Sequence, residues 1–206
     1  MSADERLAEI ADEIRDCQLC RLAGSRTNAV PGEGPANARI MFIGEGPGFH
    51  EDQQARPFVG AAGGFLEELL DGIGLGREDV YITNLVKCRP PGNRDPQDDE
   101  LEACTSTYLD RQIEVINPDV IVTLGRFSMA RYFSGAKISQ IHGQPKVVGG
   151  RLVVPMYHPA AALHQPSLRS VVEEDFSHLP EWIERADDLE PVDAPADNDP
   201  QQLSLF

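Results

Sequence analysis

Lysine is nearly missing from this chain. Its 206 residues hold three, Lys87, Lys137 and Lys146, against fifteen arginines. Aspartate and glutamate number 34 together, and the formal net charge is -16. That balance argues against a generally basic nucleic-acid binder. It fits either a GC-rich genome or a salt-adapted cytoplasm. No apolar run approaches the length of a membrane span, and the polar amino terminus is no signal peptide. The chain is therefore expected in the cytoplasm. Cysteine is sparse as well: Cys17, Cys20, Cys88 and Cys104. Paired disulfides are not expected in a cytosolic chain. A C-x2-C pair and a C-x15-C pair read as a four-thiolate metal or cluster site, with buried free thiols as the alternative.

What is present centres on Gly44-Glu45-Gly46-Pro47-Gly48, a turn following the apolar run Ile40-Met41-Phe42-Ile43. An apolar run bounded by Gly and Pro reads as a buried strand entering a turn. Glycines there let backbone approach a ligand closely. The next residues, Phe49 to Gly60, read as a loop that carries carboxylates, Arg56 and an apolar Phe58-Val59 pair. No Gly-Lys-Ser/Thr follows, so this is not a Walker loop.

The length suits one domain with a sizeable core. Ser2 to Cys17 reads as an amphipathic helix capped by Ser2. Arg21 to Ala38 is loop, Arg39 to Ile43 a strand, and Gly63 to Ile73 a helix. Asp79 to Leu85 is the second strand, leading into a Pro-rich loop, Lys87 to Pro96. Asp98 to Ile116 is a helix carrying Cys104. Val120 to Leu124 is a third, continuously apolar strand, followed by a helix over Phe127 to Phe133. Ile138 to Gly150 is irregular or a short hairpin. Leu152 to Tyr157 is the fourth strand, ending at His158-Pro159. Ala160 to Leu163 is a turn of helix, and Ser167 to Arg185 the last helix. Strands alternating with helices predict an α/β fold, a three-layer α/β/α arrangement around a central four-stranded parallel sheet. Residues 1–185 form the domain. Residues 186–206 read as a disordered acidic tail, since eleven carboxylates lie between Glu173 and Pro200 against one arginine, Arg185.

The glycine turn, Asn84 and His158 each lie at or just past the carboxyl end of a strand, where ligands of doubly wound sheets bind. Asn84 offers a paired donor and acceptor, Phe58 a stacking face, and His158 one donor near neutral pH. Together they suit a flat polar heterocycle. Singly, Asn84 could cap a strand end and Phe58 could be core.

Four motifs, in this order, carry a resemblance. Gly44-Glu45-Gly46-Pro47-Gly48 runs to Arg56-Pro57-Phe58-Val59-Gly60. Tyr81-Ile82-Thr83-Asn84 leads to Lys87-Cys88-Arg89-Pro90-Pro91-Gly92-Asn93-Arg94, and His158-Pro159 closes the set. From Cys17 to about Arg169 the chain resembles the family 4 uracil-DNA glycosylases. The resemblance implies an enzyme of base-excision repair that flips uracil out of DNA and hydrolyses its N-glycosidic bond, leaving an abasic site. It also implies a structural [4Fe-4S] cluster on Cys17, Cys20, Cys88 and Cys104. Phe58 would stack on the uracil, Asn84 would bond its edge, and backbone groups of Glu45 and Gly46 would line the pocket. His158 would donate to O2 as charge develops there. Sister families place an Asp where this chain has Gly46, which leaves Glu45, Glu51 and Asn93 as candidates to hold the water. Glu51 is also the candidate to crowd a thymine methyl. The last motif departs from the family's pattern: Ala160 replaces a Ser, and His164-Gln165-Pro166 replaces Arg-Asn-Pro. Leu163 is expected to wedge into the duplex and Arg169 to compensate for the lost phosphate contact. A local basic face is expected from Arg21, Arg26, Arg56, Lys87, Arg89 and Arg94. The alternative function is a non-catalytic or covalently trapping uracil-DNA-binding relative. The trapping branch uses a His in an Arg-rich insertion that this chain lacks.

The last residues, Gln202-Leu203-Ser204-Leu205-Phe206, resemble a bacterial sliding-clamp-binding pentapeptide. Gln202, Leu203, Leu205 and Phe206 are the contact candidates, on a tether that raises effective concentration at DNA. The protein is expected to act as a monomer.

Overall fold

The computed structural model describes residues 1–188, so the clamp-binding candidates Gln202, Leu203, Leu205 and Phe206, and most of the predicted tail, lie outside the described residues. Five strands form one sheet: β1 (Ile40–Gly44), β2 (Tyr81–Asn84), β3 (Val120–Leu124), β4 (Lys146–Val148) and β5 (Arg151–Met156), in the order β2-β1-β3-β5-β4. The first three and β5 pair in parallel, as their unbroken burial predicts. The sequence reading of four strands is corrected by one. The segment read as irregular or hairpin supplies β4, a three-residue antiparallel edge strand on β5.

Helices cover both faces. On one side, α3 (Ala61–Asp71), α8 (Pro159–His164), α9 (Arg169–Ser177) and α10 (Leu179–Asp187) pack Phe65, Leu66, Val172, Phe176 and Trp182 onto Phe42, Val122 and Val154. On the other, Leu109 and Ile116 close over Met41, Ile121 and Val153. They belong to a segment predicted as one helix, Asp98 to Ile116. It is α4 (Asp98–Cys104), a π-helical turn over Thr105–Leu109 and α5 (Asp110–Ile116). The last predicted helix is likewise split, at His178 ahead of Pro180, into α9 and α10.

The amino-terminal helix α1 (Ala3–Asp16) begins with the capping box its sequence suggests. Ser2 Oγ accepts from the Glu5 amide at 3.1 Å, and Glu5 Oε2 accepts from the Ser2 amide at 2.7 Å. Its buried Ile10 and Ile14 meet Leu22, Val86 and Tyr108 in a separate small core that also contains the cysteines. Two helices were not anticipated: α2 (Phe49–Gln54) starts directly after the glycine turn, where the sequence reads as loop, and the single turn α7 (Ile138–Ile141) lies in the segment read as irregular or hairpin. The predicted helix after β3 is α6 (Arg126–Ala130). Among the described residues no helix is long and apolar enough to cross a membrane.

Candidate active site

Parallel pairing puts the functional strand ends side by side. Gly44, last in β1, stands in register with Asn84, last in β2. The glycine is required by contact: a Cβ there would sit 2.3 Å from Asn84 Oδ1 and 2.8 Å from Phe58 Cζ. Asn84 is buried, and its backbone carbonyl accepts from Lys87 Nζ at 2.8 Å. Its side-chain amide lines a cavity of about 420 Å³ and makes no hydrogen bond to any described residue. The amide therefore faces the cavity with its donor and acceptor free for a ligand.

Phe58 is held in a conformation that L-residues seldom adopt, with φ 51°. Three contacts enforce it. Arg77 donates to the Phe58 and Pro57 carbonyls at 2.9 and 2.7 Å. Glu51 Oε1 accepts from the amides of Val59 and Gly60 at 3.1 and 3.0 Å. Gly63 leaves room for the turn, since a Cβ there would come within 1.9 Å of the Phe58 carbonyl oxygen. The result presents the ring to the cavity beside His158, with centroids 5.4 Å apart and planes 22° from parallel.

His158 follows β5 and caps α8. Its Nδ1 accepts from the Ala160 amide at 3.1 Å, so in the neutral ring the hydrogen is on Nε2. Burial pulls its pKa down to about 4, which keeps the imidazole neutral at physiological pH. Glu45 is half-buried at the cavity wall. Desolvation raises its carboxyl pKa, Asp95 adds to that, and Arg126 opposes it.

The cavity thus brings together Glu45, Gly46, Glu51, Phe58, Asn84, Asn93 and His158. Gly46 permits close packing, because a Cβ there would meet Val86 at 2.7 Å. Asn93 stands on the rim with φ 55°, its Oδ1 accepting from Arg89 Nε at 2.7 Å. Arg94, expected on the basic face, and His164, from the altered last motif, also line the cavity. Sequence reasoning missed Asp52. This buried carboxylate accepts from the Thr27 and Asn28 amides at 2.8 and 3.3 Å and ties α2 to the preceding loop. Its partners lie more than twenty residues away, so no local signal marks it.

The expected DNA-facing groups fare differently. Leu163 is exposed at 44 %. Arg169 is engaged: its Nη2 and Nε donate to Glu68 and Glu173 at 2.6 and 2.8 Å, and its guanidinium lies 4.5 Å over the Phe65 ring. The expected basic face is largely neutralised. Arg56 forks onto Glu33, Arg94 onto Glu100, and Arg21 pairs with Asp99. Lys87 is buried, its Nζ bonded to Thr83 Oγ1, the Asn84 carbonyl and Gln112 Oε1.

All four cysteines line one apolar pocket with Ile14, Leu22, Val86 and Tyr108. Three of their sulfurs accept N–H groups: Cys17 from the Leu19 amide at 3.4 Å, Cys88 from Arg26 Nη1 at 3.1 Å, and Cys104 from the Lys87 amide at 3.3 Å. Such bonds suit thiolate. Burial nevertheless pushes the free Cys104 thiol up to about 11, and a bound metal would be needed to hold it deprotonated. Among the described residues no three His, Cys, Asp or Glu side chains stand close enough together to hold a single metal ion.

Fold and site together define a class: an α/β protein with a cavity at the carboxyl edge of its sheet, carrying an amide, an aromatic face and a neutral imidazole. The comparisons agree. Residues 31–182 match the family model of the uracil DNA glycosylase superfamily. The chain is 52 % identical over 189 residues to the type-4 uracil-DNA glycosylase of Saccharolobus solfataricus, covering 87 % of each protein. It is 47 % identical over 191 residues to the type-4 enzyme of Thermotoga maritima, covering 90 % of this chain and 99 % of the relative. The type-5 uracil-DNA glycosylase of Thermus thermophilus is more distant, at 34 % over 152 residues, 63 % of this chain and 68 % of the relative. This chain belongs to the uracil DNA glycosylase superfamily.

Proposed function

We propose that the protein is a monofunctional uracil-DNA glycosylase that binds an extruded uracil and hydrolyses its bond to the sugar. The observation carrying this reading is the buried Asn84 amide, without a partner among the described residues and open to the cavity beside Phe58 and His158. Uracil matches it: Oδ1 accepts from N3–H and Nδ2 donates to O4, while the Phe58 ring stacks on the base face.

Chemistry follows from the tautomer. As the bond from the sugar carbon to N1 lengthens, its electron pair passes into the ring and negative charge gathers on O2. A hydrogen bond from His158 Nε2 strengthens as that charge grows, which is what lowers a barrier. An imidazole fixed neutral by burial acts as a donor that keeps its proton. The sugar, left with oxocarbenium character, takes water, whose proton needs an acceptor. Of the three candidates, Glu51 already holds the Phe58 loop and Asn93 is bonded to Arg89. Glu45 has a carboxylate at the cavity wall without such an engagement and is the proposed acceptor. The products are free uracil and an abasic site.

Cys17, Cys20, Cys88 and Cys104 are proposed to hold a [4Fe-4S] cluster. When bound it would supply a structural cross-link, tying the end of α1 to the loop after β2 and to α4. The carboxyl-terminal peptide Gln202 to Phe206 is proposed to dock on a sliding clamp.

The test of function is incubation with a uracil-containing oligonucleotide followed by alkali. Strand cleavage at the uracil position is expected. No abasic product at stoichiometric protein would overturn the enzyme reading and leave the binding alternative.

A further inference from the structure

Uracil occupies the cavity, but the nucleotides on either side of it must lie on the rim. Two features of that rim are unaccounted for. The first is Phe49, the opening residue of α2, which is 51 % exposed. It sits between Gly48 and the carboxylate of Glu51, both of which line the cavity. By contrast Phe42, Phe58, Phe65 and Phe176 are all buried. An exposed aromatic ring next to a polar cavity gains nothing for folding. The second is Arg89. Its guanidinium lies over the Phe49 ring, 5.1 Å from the centroid, and its only hydrogen bond among the described residues is to the neutral Asn93 amide oxygen. Arg21, Arg56, Arg94, Arg126 and Arg169 all have carboxylate partners. Arg89 has none among the described residues, and its charge remains uncompensated beside the cavity in a strongly acidic protein.

We infer that Phe49 and Arg89 form a second subsite, which binds the nucleotide flanking the uracil: Phe49 stacks on that neighbour's base and Arg89 contacts its phosphate. The inference rests on the glycosylase reading above. The physical grounds are general. Aromatic side chains bind unstacked bases of any sequence through their π-face, and arginine adds both cation–π and phosphate contacts. A guanidinium stacked on the ring holds it in place and loses little freedom when it meets a phosphate. An extruded uracil leaves its neighbour unstacked on one face, and the exposed ring offers a replacement. The local charge also answers how an acidic chain holds DNA. It uses one unpaired guanidinium at the rim instead of a broad basic face.

The test uses single-stranded oligonucleotides in which the uracil is flanked either by adenines or by abasic spacers. Uracil release under single turnover gives rate and affinity for wild type, Phe49→Ala, Phe49→Trp and Arg89→Gln. Phe49→Ala is expected to weaken binding of the adenine-flanked substrate about tenfold, the usual worth of one base stack. On the spacer-flanked substrate the loss should be under about twofold, and the rate at saturation should hold. Phe49→Trp should retain affinity. Arg89→Gln should weaken both substrates and flatten the dependence of affinity on salt. Equal losses for Phe49→Ala on both substrates, or an unchanged salt slope for Arg89→Gln, overturn the subsite while leaving the enzyme reading intact. A wild-type protein that releases no uracil from either substrate overturns the enzyme reading, and the subsite with it.

Discussion

Gly44→Ala is the substitution that most directly examines how the pocket is built. The new methyl carbon would lie 2.3 Å from Asn84 Oδ1 and 2.8 Å from the Phe58 ring, closer than carbon tolerates, so both base-contacting groups must move. Moving the amide breaks two hydrogen bonds to the base edge. Losing them and leaving the edge unsatisfied costs about 3–4 kcal/mol together, or about 100- to 1,000-fold in kcat/KM. The fold should survive. Overpacking one methyl into a strand end costs about 1–3 kcal/mol, which lowers Tm by about 2–4 °C per kcal/mol in a chain of this size. Uracil release under single turnover, beside a melting curve, separates the two effects. A cycle with Asn84→Ala sharpens the result. Once the amide is gone, Gly44→Ala can act only through Phe58, so the two losses should fall well short of additive. A folded Gly44→Ala protein that keeps more than about a third of wild-type kcat/KM would refute the claim that Asn84 reads the base, since a single lost hydrogen bond should already exceed that.

Three further outcomes are expected. Because the folded His158 pKa lies near 4, below the ordinary 6.5, the unfolded chain binds the extra proton first as pH falls. Stability should be intact above pH 6.5 and decline toward pH 4; urea melts at pH 7 and pH 5 should show a drop that His158→Gln reduces. Over that range the His158 contribution to uracil release should stay flat until the pH nears 4. Cys104→Ser should lower the iron content of purified protein and its melting temperature, whereas an unchanged iron content would remove Cys104 from the ligand set. Deleting residues 201–206 should abolish retention on immobilised sliding clamp and leave uracil release from short oligonucleotides unchanged.

The convergence of Asn84 and His158 on one cavity was legible in the sequence because each lies at or just past the end of a strand, and a parallel sheet delivers all its carboxyl ends to one edge. Other features depend on partners far along the chain. The engagement of Arg169 requires Glu68, 101 residues away, and the left-handed turn at Phe58 is enforced by Arg77 and Gly63. Helix α2 was hidden because Gly48 is a weak cap signal and Gln53-Gln54 followed by Arg56-Pro57 reads as loop. The tautomer of His158 depends on a backbone amide two residues on, a contact that composition cannot reveal. The edge strand β4 is three residues long, below the length at which alternation is readable.

The strand order β2-β1-β3-β5-β4 has a consequence for how the protein acquires its affinity. Asn84 hangs from β2 and His158 from β5, with β1 and β3 between them, and a Cβ on Gly125 at the end of β3 would stand 3.2 Å from His158. The cavity spans all four parallel strands, and no three of them complete it. On the proposed site, free uracil would bind only the chain with all four parallel strands paired and so would probe the whole fold. It should raise the midpoint of global unfolding in proportion to the logarithm of its concentration, and a chain synthesised only as far as β3 would be blind to it.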